Sequence, residues 1–341
     1  MFKSSTFCLL RNAFRAKSFP RVIVNRTNYK SNDQNQYKSQ QKPPIFLFAS
    51  FPLWEMLSGK KPEEDTPEDK LIVSIKRGVL AIQKGDYKAA EKILHVALKM
   101  AQDLQHHDAV TYIYDVMANL AMEAGDFKKS EKLFVEVMQR LFAEGHKEDS
   151  IKMLHLSAKM AHICHFTEQL DKATQGFEWT LEKIKEKMKT FTDDEDLREL
   201  YGLTKNWYAQ VLMDKKLFKQ ARDHFEEAYK IYTEIHGDKT LEGILMLNNL
   251  SVAYSEMNDL ASAIETLKKV IELGKEIPKL AEIGIFHANL GLLYLRQSLI
   301  NEATAACQLG YRLGLKLKNE DATRQSEYCL DRIKEYNKSQ K

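Results

Sequence analysis

His162, Cys164 and His165 are the residues whose types most suggest chemistry, because imidazole and thiolate are common zinc ligands. Their spacing argues against one shared site. On a helix, positions three apart share a face, so His162 and His165 can meet, while Cys164 points away from both. A structural zinc site needs four ligands, and no second Cys/His cluster follows. Packing or groove contacts are the better reading of this cluster, and the adjacent His106 and His107 are weaker still. The four cysteines, Cys8, Cys164, Cys307 and Cys329, form no CxxC pair and show no disulfide-like spacing. They read as small apolar groups in helices. The carboxylates Asp193, Asp194, Glu195 and Asp196 sit where a helix is expected to begin, a place where negative charge is favoured by the helix dipole. There is no Gly-rich phosphate loop, no HExxH and no GxSxG. The chain is therefore expected not to be an enzyme and to use no metal, cofactor or small-molecule substrate.

Charge narrows the partners. Residues 1–61 hold eleven Lys/Arg against Asp33 and Glu55, and the remaining 280 residues hold 40 basic and 46 acidic side chains. A mildly acidic body offers no basic face to a polyphosphate, which excludes nucleic-acid binding. With only 14 glycines and 7 prolines in 341 residues, the composition favours long helices over strands and tight turns.

The elements that must position any site form a repeat. A small residue followed four positions later by a large apolar one recurs as Ala90…Leu94, Ser130…Phe134, Ala173…Phe177, Ala221…Phe225, Ala263…Leu267 and Ala303…Cys307. An apolar residue stands three before each small one: Tyr87, Phe127, Leu170, Phe218, Leu260 and Ile300. Lys84-Gly85-Asp86, Ala124-Gly125-Asp126 and Met257-Asn258-Asp259 are turn signals, in which Gly or Asn ends one helix and Asp caps the next. Upstream of each turn lies another amphipathic segment, clearest in Leu247-Asn248-Asn249-Leu250-Ser251 and His287-Ala288-Asn289-Leu290-Gly291. Ser251 and Gly291, with Gly78, Ala118, Ala161 and Ala209, fill a slot where a small side chain lets the paired helices cross closely. Thr66, Pro67 and Asp69 mark the start of the first helix, and a polar-faced helix over 321–336 is expected to cap the end.

These motifs resemble the tetratricopeptide repeat superfamily, in about six long copies over roughly 68–317. His236-Gly237-Asp238 is similar to the inter-repeat join of kinesin light chains. The resemblance implies an all-α solenoid of helical hairpins plus a C-terminal capping helix, with the first helix of each hairpin facing a concave groove. In that register Asn119, Lys159, Asn206, Trp207, Asn248, Asn249, Asn289 and Arg296 lie at or near the groove. A side-chain amide both donates to and accepts from a peptide backbone, so spaced Asn residues can hold an extended segment without reading its sequence. Only Arg296 approaches the Lys/Arg placement of an Hsp90-type carboxylate clamp, so that kind of groove is not expected.

The head of the chain reads as an address. Met1 to Asn32 contains no acidic residue, and Arg11 and Arg15, like Leu10 and Phe14, stand one helical turn apart. Basic, hydroxylated, acid-free and weakly amphipathic sequence over 1–30 is the composition of a mitochondrial transit peptide. Residues 31–44 read as a polar linker. The apolar stretch 45–57, broken by Pro52 and Glu55, is too short for a standard membrane span. It could anchor the chain at a membrane, pack on the repeats, or belong to the sorting signal. The solenoid domain is expected over 66–338. This whole order resembles a mitochondrial family of tetratricopeptide repeat proteins. That resemblance implies a non-catalytic scaffold of the inner membrane, bound to respiratory complex III. It would support assembly and maintenance of the complex and clearance of Rieske iron–sulfur subunit fragments. The alternative is a cytosolic adaptor of kinesin-light-chain or co-chaperone type, binding peptides in the groove.

Overall fold

The structure is a computed structural model that describes residues 66–191 and 194–340. The expected address, linker and apolar stretch over residues 1–57 lie outside the described residues. Among the described residues there are thirteen α-helices and no strand. They are α1 Pro67–Gln83, α2 Tyr87–Asp103, α3 His107–Glu123, α4 Phe127–Ala143, α5 Ile151–Phe166, α6 Leu170–Met188, α7 Glu195–Asp214, α8 Phe218–His236, α9 Leu241–Glu256, α10 Leu260–Lys275, α11 Ile283–Arg296, α12 Ile300–Leu317 and α13 Glu320–Ser339. Helices α1–α5 form one compact unit and α6–α13 another. None of the described helices is long and apolar enough to cross a membrane.

Every small-to-large pair read from the sequence is fully buried, from Ala90 and Leu94 on α2 to Ala303 and Cys307 on α12. The even-numbered helices bury a single stripe. On α2 it is Ala90, Leu94, Ala97 and Ala101, the three- and four-residue spacing of one helix face. The odd-numbered helices α3, α7, α9 and α11 bury residues on most of their faces. At the close crossings the small slot has a visible purpose. The Ser130 hydroxyl donates to the carbonyl of Ala118, 2.8 Å away, so the polar atom is satisfied where α3 and α4 touch.

The turns follow one plan. Three residues separate α1 from α2, α3 from α4, α5 from α6, α7 from α8, α9 from α10 and α11 from α12. The middle residue of each turn has a left-handed backbone: Gly85, Gly125, Glu168, Lys216, Asn258 and Ser298. Asp86, Asp126 and Asp259 then accept from the N–H three residues on, at 3.0–3.1 Å. Thr66 and Asp69 make the reciprocal capping box expected of them. At the matching place, Leu217 and Leu299 give no side-chain cap, and both are exposed. Leu217→Asp is expected to stabilise the chain by about 1 kcal/mol, the usual worth of an N-cap. A denaturation midpoint that fails to rise would show that Leu217 earns its place by packing.

One expectation is corrected. Cys307 and Cys329 are not separate apolar fillers but are joined by a disulfide, with Cα atoms 6.0 Å apart. Cys307 occupies the large slot of α12, and α13 lies across that slot. The 22-residue separation carries no sign of this, because it depends on where the last helix docks.

Candidate protein-binding face

In the first unit, α3 and α5 bring two of the expected groove residues together around a third. Lys159 Nζ lies 3.6 Å from Asp115 Oδ1 and 5.2 Å above the Phe134 ring. Asn119, one turn beyond Asp115, donates to the same Oδ1 at 3.2 Å. Asp115 and Lys159 are only 6% and 4% exposed. Burial pushes the Asp115 carboxyl up and the Lys159 ammonium down, and each opposes the other's shift by its charge. Sequence reasoning named Asn119 and Lys159 but missed Asp115. The available signal was an acidic residue among Val110, Ile113, Val116, Met117 and Leu120 on a buried helix.

In the second unit, α7 carries Asn206 and Trp207, α9 carries Asn248 and Asn249, and α11 carries Asn289. All five are buried. The amide of Asn289 donates to Asn248 Oδ1 at 3.1 Å, which ties α11 to α9. Arg296 reaches back to the end of α9, where it donates to the Ser255 carbonyl at 2.9 Å and to Asn258 Oδ1 at 3.2 Å. It thereby supplies donors to the last turn of a helix and to the turn that follows.

A second constellation was not singled out from the sequence. Lys205 on α7 pairs with Glu227 on α8 at 2.7 Å and stands 5.0 Å over the Tyr201 ring. His224 Nδ1 lies 3.3 Å from the same ammonium. Tyr208 donates to Glu178 Oε1 at 2.7 Å and meets His224 edge-on. Glu178, Leu181, Glu182, Lys185, Tyr208 and His224 line an open cleft of about 430 Å³. Its charges are of both signs. The His162 cluster is a ring stack: His162 lies 4.4 Å from Phe166, and Phe166 stacks on Phe127 at 5.0 Å. Among the described residues no group of His, Cys, Asp or Glu is placed to hold a metal ion.

The histidines set a pH dependence. Burial, then the Lys205 charge, pushes His224 from 6.5 down to about 4, with Lys185 adding to this and Glu227 and Asp223 opposing it. Burial, then Lys275, pushes His287 to about 4 as well. Both rings thus stay neutral in the folded chain where the unfolded chain takes up protons. Their contribution to stability is whole above about pH 6.5 and is lost as the pH falls towards about 4. The melting temperature is expected to drop across that window and to drop less in His224→Gln; an equal drop in the variant would remove His224 as a cause.

The tetratricopeptide repeat family model matches residues 201–276. Among solved structures, the chain is similar to BtubC (BKLC) from P. vanneervenii, with 19% identity and a TM-score of 0.54 over 73% of this chain and 92% of that one. It is also similar to a Rap protein complexed with competence and sporulation factor, with 12% identity and a TM-score of 0.56 over 83% and 79%. These likenesses show the fold, an all-α tetratricopeptide-repeat solenoid. Among curated proteins, the Drosophila melanogaster tetratricopeptide repeat protein 19 homolog, mitochondrial, is 47% identical over 84% of this chain and 77% of its own length. The Homo sapiens tetratricopeptide repeat protein 19, mitochondrial, is 27% identical over 75% and 70%. An identity of 47% over 84% of the chain shows that the chain belongs to the tetratricopeptide repeat protein 19 family.

Proposed function

We propose that this chain is a non-catalytic, protein-binding scaffold of the mitochondrial inner membrane that associates with respiratory complex III. On this reading it supports assembly and maintenance of the complex and helps clear fragments of the Rieske iron–sulfur subunit. The observation that carries the reading is similarity over most of the chain to relatives named as mitochondrial. The acid-free basic head agrees with it. The proposed layout goes with it: an address over 1–30, a linker over 31–44, a short apolar anchor or packing segment over 45–57 and the repeats over 66–338.

The residues proposed for the partner are Asn119 and Lys159 in the first unit and, separately, Asn206, Trp207, Asn248, Asn249, Asn289 and Arg296 in the second. An amide pair such as Asn248 and Asn289 gives a peptide backbone a donor and an acceptor if the two part. Capture of the tagged chain from detergent-solubilised mitochondria should enrich complex III subunits, the Rieske protein among them. Recovery of none of them sinks the reading. If capture survives Asn248→Ala with Asn289→Ala undiminished, the contact lies on another face.

A further inference from the structure

In a stacked repeat each hairpin is covered by its neighbours, and a terminal hairpin needs a polar outer face or a cap. Helix α1 has neither among the described residues. The comparison is with the places five residues before and two after the small slot of each later first helix. On α3 these are Ile113 and Leu120, both buried, and they share one apolar cluster with Ala97 and Ala101 of the preceding α2. On α5 they are Leu156 and Ile163, clustered with Val137 and Leu141 of the preceding α4. The matching places on α7, α9 and α11 are buried too. The two places therefore belong to whatever lies before the hairpin in the stack. On α1 the slot is Gly78, the places hold Val73 and Leu80, and these are 44% and 39% exposed. Seven residues apart, they share one helix face. Arg77 is exposed and Lys76 half-buried beside them. Of the aliphatic side chains on α1, only Leu71 and Ile82 are buried. The last helix is built the other way: α13 exposes Glu320, Arg324, Glu327 and Asp331 and no large apolar side chain.

We propose that residues 45–57 of the same chain dock on the Val73–Leu80 face of α1 and supply the cover that each later hairpin takes from the one before it. Three observations select this occupant. The first is reach. Eight residues, 58–65, join Leu57 to Thr66, and they span up to about 26 Å. Helix α1, with its 17 residues, is about 25 Å long, so the stretch can reach any point along it. The second is composition. Phe46, Phe48, Phe51, Leu53 and Trp54 offer large apolar side chains in a stretch too short, and too broken by Pro52 and Glu55, for a standard membrane span. The third is charge, because Glu55 is the one ionised side chain in 45–57, and the α1 face carries Lys76 and Arg77. Docking removes two exposed aliphatic side chains and several aromatic ones from water at once. It decides between the two roles left open for 45–57, packing segment and anchor, and does not rest on complex III as the partner.

The test uses the full chain with a photo-crosslinking phenylalanine analogue in place of Leu80, which keeps the face apolar. Isotopically heavy and light chains are mixed, irradiated and read by mass spectrometry. Crosslinks should join α1 to residues 45–57 of the same molecule. Crosslinks between heavy and light chains would make a second copy the occupant and overturn the proposal. Crosslinks to another stretch of the same chain, or none, overturn it too. A second measurement needs no change in the repeats. In the triple variant Phe48→Ser, Phe51→Ser and Trp54→Ser, amide hydrogen exchange in α1 should be roughly tenfold faster than in the wild-type chain. Equal exchange in the two chains overturns the docking. The membrane is the remaining occupant. Vesicles of phosphatidylcholine alone carry no net charge, so the basic head finds no anionic lipid on them. The full chain should stay in the supernatant when these vesicles are sedimented. Sedimentation of the wild-type chain that the triple variant loses would make 45–57 an anchor and overturn the proposal. None of these results bears on whether complex III is the partner.

Discussion

Gly291→Ala is expected to lower the stability of the second unit by about 3 kcal/mol, the upper part of the usual range for overpacking a core. A Cβ on Gly291 would overlap the Cys307 sulfur and lie 3.0 Å from both the Ala303 carbonyl oxygen and the Cys329 sulfur. The carbonyl belongs to the backbone of α12, and the two sulfurs are tied to each other, so no flexible side-chain end can swing away. Relief must come from α11 moving off α12. The comparison inside the molecule is instructive, because Ala118 on α3 and Ala209 on α7 hold the matching slot and are fully buried without difficulty. Alanine is therefore not wrong for the slot as such; it is wrong where two sulfurs already fill the space. Chemical denaturation followed by circular dichroism measures the loss. A shift below about 0.5 kcal/mol, the size of an ordinary surface substitution, would mean that the α11–α12 spacing is set elsewhere.

Phe225→Ala should cost about 3–5 kcal/mol, through lost transfer energy and the cavity left behind. Phe225 is fully buried in the large slot of α8, one turn beyond Ala221, which is also fully buried. Phe225→Leu keeps much of the volume and should recover most of the loss. A Phe225→Ala chain that melts like wild type would show that the small-to-large pair records ancestry and not packing.

How much of this was legible beforehand depends on range. The pairs from Ala90…Leu94 to Ala303…Cys307 show through because their spacing is that of one helix face, and a face that must be buried leaves its period in the sequence. The turns were half legible. Gly85, Gly125 and Asn258 announce a left-handed residue, because their types favour it. Glu168, Lys216 and Ser298 adopt the same conformation and announce nothing, since the fold imposes it on side chains with no preference for it. The face was legible in its register and not in its pairings. That Asn289 meets Asn248, and that Lys159 meets Asp115, follow from how neighbouring hairpins stack, which no local pattern encodes. The Cys307–Cys329 bond is the extreme case, since it joins the repeat register to a helix outside it.

The six three-residue turns have an engineering consequence. Their length does not vary, so the unequal spacing of the repeats is absorbed in helix lengths and in the joins from one hairpin to the next. The join from Glu144 to Ser150 separates α4 from α5 by seven residues, against three at every hairpin turn. Gly145, Lys147 and Glu148 within it are exposed. Chain added there leaves every left-handed turn and every buried pair untouched. An epitope or fluorescent reporter spliced after His146 is thus the least disruptive way to follow the protein in a cell without burdening either terminus.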